Sequence, residues 1–203
     1  AFLRSALKVS LRAVLYGAYD VRDQSVTPPR SPMFDLSPML LLLEWAAAAD
    51  RFNRTGDARQ LASLVQDQRK ELAIASKDCH LQVEEAGRLG NLAGTLTSIS
   101  QALRLIRPIQ AMQQIAGLPE RIEKAKPALE RLANARPFTL LLESIVQTYQ
   151  PLALAEPPSE GNIWQHLAVE RCMIGWYIER EQWVQAITLA REWLVSWVMY
   201  QFK

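Results

Sequence analysis

Ser37-Pro38-Met39-Leu40-Leu41-Leu42-Leu43-Glu44-Trp45-Ala46-Ala47-Ala48-Ala49 is the stretch on which the fold class turns. Serine followed by proline reads as a helix start. The serine hydroxyl caps free backbone N–H groups, and proline fits the first helical position, where its missing N–H costs nothing. Leu36, Leu40, Leu43 and Ala47 then recur at steps of four, three and four, the period of one helix face. The apolar run Pro38 to Ala49 is too short to span a bilayer, which takes about 18 residues, and Glu44 breaks it. Gly56 ends this helix, and Asp57 is placed to cap the next.

The same period carries on to the end of the chain. Leu61, Leu64, Val65 and Leu72 mark a second helix, with Gln68, Arg69, Lys70 and Glu71 mostly solvated. Leu89, Leu92, Leu96, Ile99, Leu103 and Ile106 mark a third, interrupted by Pro108. Gly87, Gly90 and Gly94 lack the Gly-Lys-Ser/Thr ending of a phosphate loop, and no strand precedes them, so they read as a helix break with caps. Leu118, Ile122, Ala125, Leu129 and Leu132 form a fourth helix with an expected kink at Pro127. Phe138, Leu141, Leu142, Ile145 and Tyr149 form a fifth, opened by Pro137. Pro151 to Gly161 is a loop. Two helices follow, marked by Ile163, Leu167, Ile174, Tyr177 and Ile178, and by Trp183, Ile187, Ala190, Leu194 and Trp197 or Val198. Only Glu179-Arg180-Glu181-Gln182 separates them, which forces an antiparallel hairpin.

Upstream the pattern differs. Ala1 to Leu7 reads as the last turns of a helix, and Val9 to Tyr16 alternates like a strand with one well-buried face. A lone strand is unstable, so its sheet partners are expected upstream or in another chain. Pro28, Pro29 and Pro32 make residues 21–37 an extended connector. The expected organisation is therefore mainly α: residues 1–20 as the tail of an α/β domain, 21–37 as a linker and 38–203 as a helical bundle. Both ends look cut inside structural elements, so the chain is expected to be a window on a larger protein.

Composition narrows the chemistry. The 203 residues are 49% apolar and 22% charged, with 8 Gly and 11 Pro, which excludes a disordered or collagen-like chain. A net charge of +2 leaves no bulk electrostatic footprint of nucleic-acid binding. Cys79 and Cys172 give no disulfide framework, and a cytoplasmic setting is the default. His80 and His166 are the only histidines, and the adjacent Cys79-His80 pair diverges on a helix, so no metal site is expected. Cys172 lies in an apolar helical pattern and reads as a small buried hydrophobe. His166 reads as a partly buried polar contact. Trp45, Trp164, Trp176, Trp183, Trp193 and Trp197 read as core or interface residues, because no basic stripe interleaves them for base stacking. Arg12, Arg104 and Arg107 are isolated charges that read as a solvated face, with ligand or partner contact as the competing reading.

The best candidate site is the strand end, since ligands of open α/β sheets sit beyond the carboxyl ends of strands. Tyr16, Gly17, Ala18, Tyr19 and Asp20 lie there. Gly17 permits close backbone approach, Tyr19 offers a stacking face, and Asp20 can accept a ribose hydroxyl. A plain strand-to-linker turn is the competing reading.

Several segments, in order, resemble one family. They are Leu3-Arg4-Ser5-Ala6-Leu7-Lys8-Val9, Val14-Leu15-Tyr16-Gly17-Ala18-Tyr19-Asp20, Pro32-Met33-Phe34-Asp35-Leu36-Ser37-Pro38, Leu43-Glu44-Trp45 and Thr55-Gly56-Asp57. Near the end come Trp176-Tyr177-Ile178-Glu179 and Gln185-Ala186-Ile187-Thr188-Leu189-Ala190-Arg191-Glu192-Trp193. This order resembles the DxTHG family of CRISPR-associated proteins, the CARF–HEPN ancillary effectors of type III systems. The resemblance implies a Rossmann-like CARF domain that binds a cyclic oligoadenylate activator at a homodimer interface. It implies a HEPN ribonuclease that cuts single-stranded RNA without metal or cofactor, away from any membrane, in antiviral defence. Its catalytic Arg and His would be spaced R-x4–6-H. The positions so spaced before His80 are Ala75, Ile74 and Ala73, and those before His166 are Gly161, Glu160 and Ser159. None is Arg, so no catalytic residue is assigned. The family's DxTHG segment is expected before Ala1 and its nuclease motif after Lys203. A catalytically inactive helical adaptor, docking through its Trp-rich hairpin, and a ligand-responsive regulator are the alternatives.

Overall fold

The computed structural model describes residues 13–75, 80–156 and 158–202. The chain divides into two compact units, Ala1–Ala47 and Ala48–Lys203. The fold is mainly α, as the periodicity requires.

In the first unit, strand β1 (Leu15–Gly17) pairs antiparallel with β2 (Met33–Asp35), with Leu15 opposite Asp35, Tyr16 opposite Phe34 and Gly17 opposite Met33. The partner strand thus lies downstream, inside the segment expected to be a plain connector. Ala18 N–H donates to the Pro32 carbonyl at 3.0 Å, and Asp23 and Arg30 form a further antiparallel bridge. The prolines permit this because Pro32 ends where Met33 begins, so the short strand keeps its own N–H donors. Most of the expected strand Val9 to Tyr16, and the helix before it, lie outside the described residues. The part that is described has no buried face, and Leu15 is 58% exposed.

Helix α1 (Ser37–Thr55) follows β2 directly. Its capping differs by one residue from the expected pattern. Leu36 C=O accepts from Leu40 N–H, so Leu36 occupies the cap position and Ser37 the first turn. Asp35 Oδ1 takes the Ser37 N–H at 2.8 Å, and the Ser37 hydroxyl first and this N–H second hold its carboxyl below the usual range. The Ser37 hydroxyl oxygen also accepts Val14 N–H at 3.1 Å, tying the helix start to the hairpin.

The second unit holds the end of α1 and then α2 (Arg59–Ala75), α3 (His80–Arg104), α4 (Pro108–Ala116), α5 (Leu118–Arg131), α6 (Arg136–Thr139), α7 (Leu142–Tyr149), α8 (Ile163–Glu179) and α9 (Trp183–Gln201). Helix α3 is the hub, packed on α2, α4 and α5. Its Leu89, Leu92, Leu96 and Ile99 are fully buried. The break expected at Gly87, Gly90 and Gly94 is absent, because α3 runs through all three. A glycine costs a helix about 1 kcal/mol, whereas each buried leucine gains about 1.5–3 kcal/mol, so the leucine row wins. Glu85, nearly buried, pairs across to Arg131 of α5 at 2.7 Å.

The fourth expected helix is α5, with Pro127 inside it, while the residues before it form the separate α4. The fifth is divided into α6 and α7 around an exposed Leu140. Helices α8 and α9 pack as the expected antiparallel hairpin, and Trp193 Nε1 donates to the Leu167 carbonyl at 2.7 Å. His166 is buried, with Nε2 2.8 Å from the Glu156 carbonyl. Cys172 is exposed rather than buried. The inward stripe of α8 runs through His166, Leu167, Met173, Trp176 and Tyr177, which turns Cys172 outward. Among the described residues, no helix is long and apolar enough to cross a membrane.

Candidate functional site

The residues expected at the strand end lie together in the first unit. Tyr16 and Gly17 belong to β1, and Tyr19 and Asp20 start a single 3-10 turn, Tyr19–Val21. Tyr16 is half-exposed and Tyr19 is 66% exposed, whereas Ala18 is buried under the backbone bond to Pro32. The Arg22 guanidinium stacks 3.9 Å from the Tyr19 ring centre, which occupies one ring face and adds a cation to the cluster.

The second unit holds a site that the sequence pattern did not single out. It forms around the turn Thr55-Gly56-Asp57 between α1 and α2. Gly56 adopts φ +67°, and a Cβ there would overlap the Trp176 indole and lie 3.2 Å from Arg180 Nε. Glycine is required on both counts. The turn is pinned from two distant places. Tyr149 of α7 donates its hydroxyl to the Gly56 carbonyl at 2.7 Å, and Gln182 Nε2 donates to the Thr55 carbonyl at 2.7 Å. Burial raises the Tyr149 hydroxyl pKa well above its ordinary value, so it stays a donor. Phe52 meets Tyr149 edge-on with ring centres 5.5 Å apart.

Asp57 caps α2 by accepting Arg59 N–H at 3.1 Å. Its carboxylate also takes Arg59 Nε at 2.8 Å, Arg59 Nη2 at 2.6 Å and Arg51 Nη2 at 3.3 Å. Burial pushes the Asp57 pKa up, but the Arg59 hydrogen bonds and the charges of Arg59 and Arg51 outweigh it, and the net shift is downward. Ser100 of α3 closes one side, accepting Ala58 N–H at 2.9 Å. Arg180 lies 4.2 Å from the Trp176 ring centre and donates to the Trp176 carbonyl at 3.2 Å.

Beside this turn lies a cavity of about 190 Å³, whose lining includes Arg51, Asp57, Arg59, Arg104, Trp176 and Gln185. Three guanidinium groups face one carboxylate, and no histidine or cysteine lines it. Guanidinium groups of this kind can donate hydrogen bonds to an anion. Asp57 was legible only as a cap, and Arg104 as an isolated charge, either solvated or in contact with a ligand or partner. The recoverable signal was the set of segments Thr55-Gly56-Asp57, Trp176-Tyr177-Ile178-Glu179 and Gln185 onward, which converge on this one cavity.

Fold and pocket together define a helical domain with an arginine-rich pocket at the Thr55-Gly56-Asp57 turn. The chain belongs to the family described as CRISPR-associated protein MJ1674, second domain, whose profile matches residues 41–152, just over half of the chain. The match takes in Arg51, Asp57, Arg59 and Arg104 of the pocket and stops before α8 and α9. No curated protein matches the chain.

Proposed function

We propose that this chain is part of a CRISPR-associated ancillary effector that senses cyclic oligoadenylate through a CARF domain and controls a HEPN ribonuclease cutting single-stranded RNA. Membership of a CRISPR-associated second-domain family is the observation that carries the reading. A second domain implies a first, and the hairpin of residues 13–35 supplies aromatic and polar groups suited to an adenylate ring. Tyr19 stacks on a base, Asp20 accepts a ribose hydroxyl, and Arg22 attracts phosphate. The helices after Ser37 relay the change to the nuclease. To activate, the ring must bind the active arrangement more tightly than the inactive one. The test is a fluorescent single-stranded RNA assay on the full-length protein, with and without cyclic tetra- and hexa-adenylate. Cleavage that rises with one ring supports the reading; cleavage indifferent to both removes it.

Helix α9 favours a homodimer in the same account, and equally an adaptor role should the nuclease be inactive. Ala186 and Leu189 face inward, while Val184, Ile187, Val195, Val198 and Phe202 share the opposite face and are exposed. An exposed apolar stripe of that length is a docking surface. Sedimentation equilibrium giving the mass of a single copy at all concentrations would remove the homodimer.

A further inference from the structure

Helices α3 and α5 leave a larger cleft between them, of about 530 Å³, in the size range of ligand sites. Two cross-helix contacts set its register. Arg131 pairs with Glu85, and Arg121 donates to the Thr95 hydroxyl, so the helices run antiparallel and Lys124 falls opposite Leu92. Arg88, Lys124 and Arg121 all line the cleft. In this register they follow one another at the levels of residues 88, 92 and 95 of α3. At 1.5 Å per residue, that is a row of three cations over roughly 10 Å.

The three are held differently. Arg88 pairs with Glu84 at 2.6 Å and Lys124 with Glu120 at 2.5 Å, each one turn away on its own helix. Exposed pairs of this kind are weak and give way to a stronger anion. Arg121 makes no ion pair among the described residues. Its Nη1 is fixed by two neutral acceptors, the Thr95 hydroxyl and Gln114 Oε1. Thr95 is itself buried and anchored to the Asn91 carbonyl at 2.8 Å. Arg121 Nε and Nη2 bond nothing among the described residues and stay accessible. A guanidinium that is oriented but not neutralised keeps those donors for a ligand. Beside the cations the wall is bare backbone at Gly94, where a Cβ would meet nothing within 4 Å, so a bulky chain can come close.

Cations in a row along an open groove match successive phosphates of a strand better than one compact anion. We propose that the cleft between α3 and α5 holds the phosphodiester backbone of single-stranded RNA. Arg121 is the fixed contact, and Lys124 and Arg88 exchange their carboxylates for phosphates. The inference rests on the reading of this protein as one that acts on single-stranded RNA, and it adds where the strand lies. No aromatic side chain lines the cleft, so the contact is to the backbone and carries no base preference.

Fluorescence anisotropy of the full-length protein tests this with a labelled 2′-O-methyl RNA strand, which resists cleavage, between about 50 and 200 mM salt. Each neutralised phosphate contributes about −0.7 to the slope of log affinity against log salt, so three cations predict about −2 or steeper. Arg121→Met should weaken binding about tenfold, the loss of one charge-assisted hydrogen bond, and make the slope shallower by about 0.7. Lys124→Met changes an exposed side chain, keeps the fold and should flatten the slope equally. Lys126→Met removes an exposed charge of α5 outside the cleft and should leave the slope unchanged. Slopes unaltered in Arg121→Met and Lys124→Met, an equal effect of Lys126→Met, or no RNA binding at any salt overturns the proposal. The cleavage assay on the same samples separates the two readings. Ring-stimulated cleavage with unaltered slopes removes the cleft alone, whereas altered slopes with cleavage indifferent to both rings remove the sensing step and leave the cleft.

Discussion

Gly56 carries two constraints in one residue: a left-handed backbone and a missing side chain where Trp176 packs. Gly56→Ala violates both. The positive φ and the overlap with a buried indole together should cost about 2–4 kcal/mol, read as a fall in denaturation midpoint at unchanged m-value. A loss below about 0.5 kcal/mol, the size of an ordinary surface change, would contradict the packing described. Asp57 makes a prediction in pH. Its folded pKa is lowered from 3.8, so its charge contributes stability above the unfolded pKa, and that stability is lost as pH falls through the folded value. Asp57→Asn keeps a capping oxygen and removes the charge. Stepwise denaturation of both proteins should therefore show a shallower acid decline in the variant below about pH 4. Parallel acid limbs would show that the ion pairs with Arg59 and Arg51 contribute nothing.

At the scale of elements, the helices were legible because one local rule, apolar residues every three or four positions, fixes both their existence and their buried faces. The rule failed where long-range packing overrode it. Gly87, Gly90 and Gly94 are local breakers, yet the leucine row they interrupt is buried against α2, α4 and α5, and α3 continues. Cys172 sits in a segment apolar on two sides, so periodicity could not choose the inward face. The strand pairing of Tyr16 with Phe34 was hidden by the prolines between them. The pocket was hidden for a similar reason: its residues are up to 134 positions apart, from Arg51 to Gln185, and no spacing rule joins them. Element ends offer a further test. Glu181, exposed, holds φ +57° at the close of α8, where Gln182 N–H bonds the Tyr177 carbonyl and Glu181 N–H the Ile178 carbonyl. This is the closing arrangement that glycine favours. Glu181→Gly should therefore raise stability by about 1 kcal/mol, read as a higher melting temperature. A lower one would mean that the turn is held differently.

On the scale of the whole molecule, each unit exposes a distinct set of side chains. The first presents Tyr16, Tyr19, Asp20 and Arg22 on a two-stranded hairpin, and the second an arginine pocket and the apolar outer face of α9. Placed in a CRISPR-associated family, they fit the proposal that one unit contributes to sensing a nucleotide and the other meets a second copy. The sensing step comes first in that account, and everything downstream depends on it. Calorimetric titration of the full-length protein with cyclic tetra- and hexa-adenylate measures it directly. The account predicts saturable binding of one ring per two chains, weakened by about 1–3 kcal/mol in Tyr19→Ala, the value of one base-stacking contact. Absence of binding heat with both rings, or affinity unaltered in Tyr19→Ala, would contradict it.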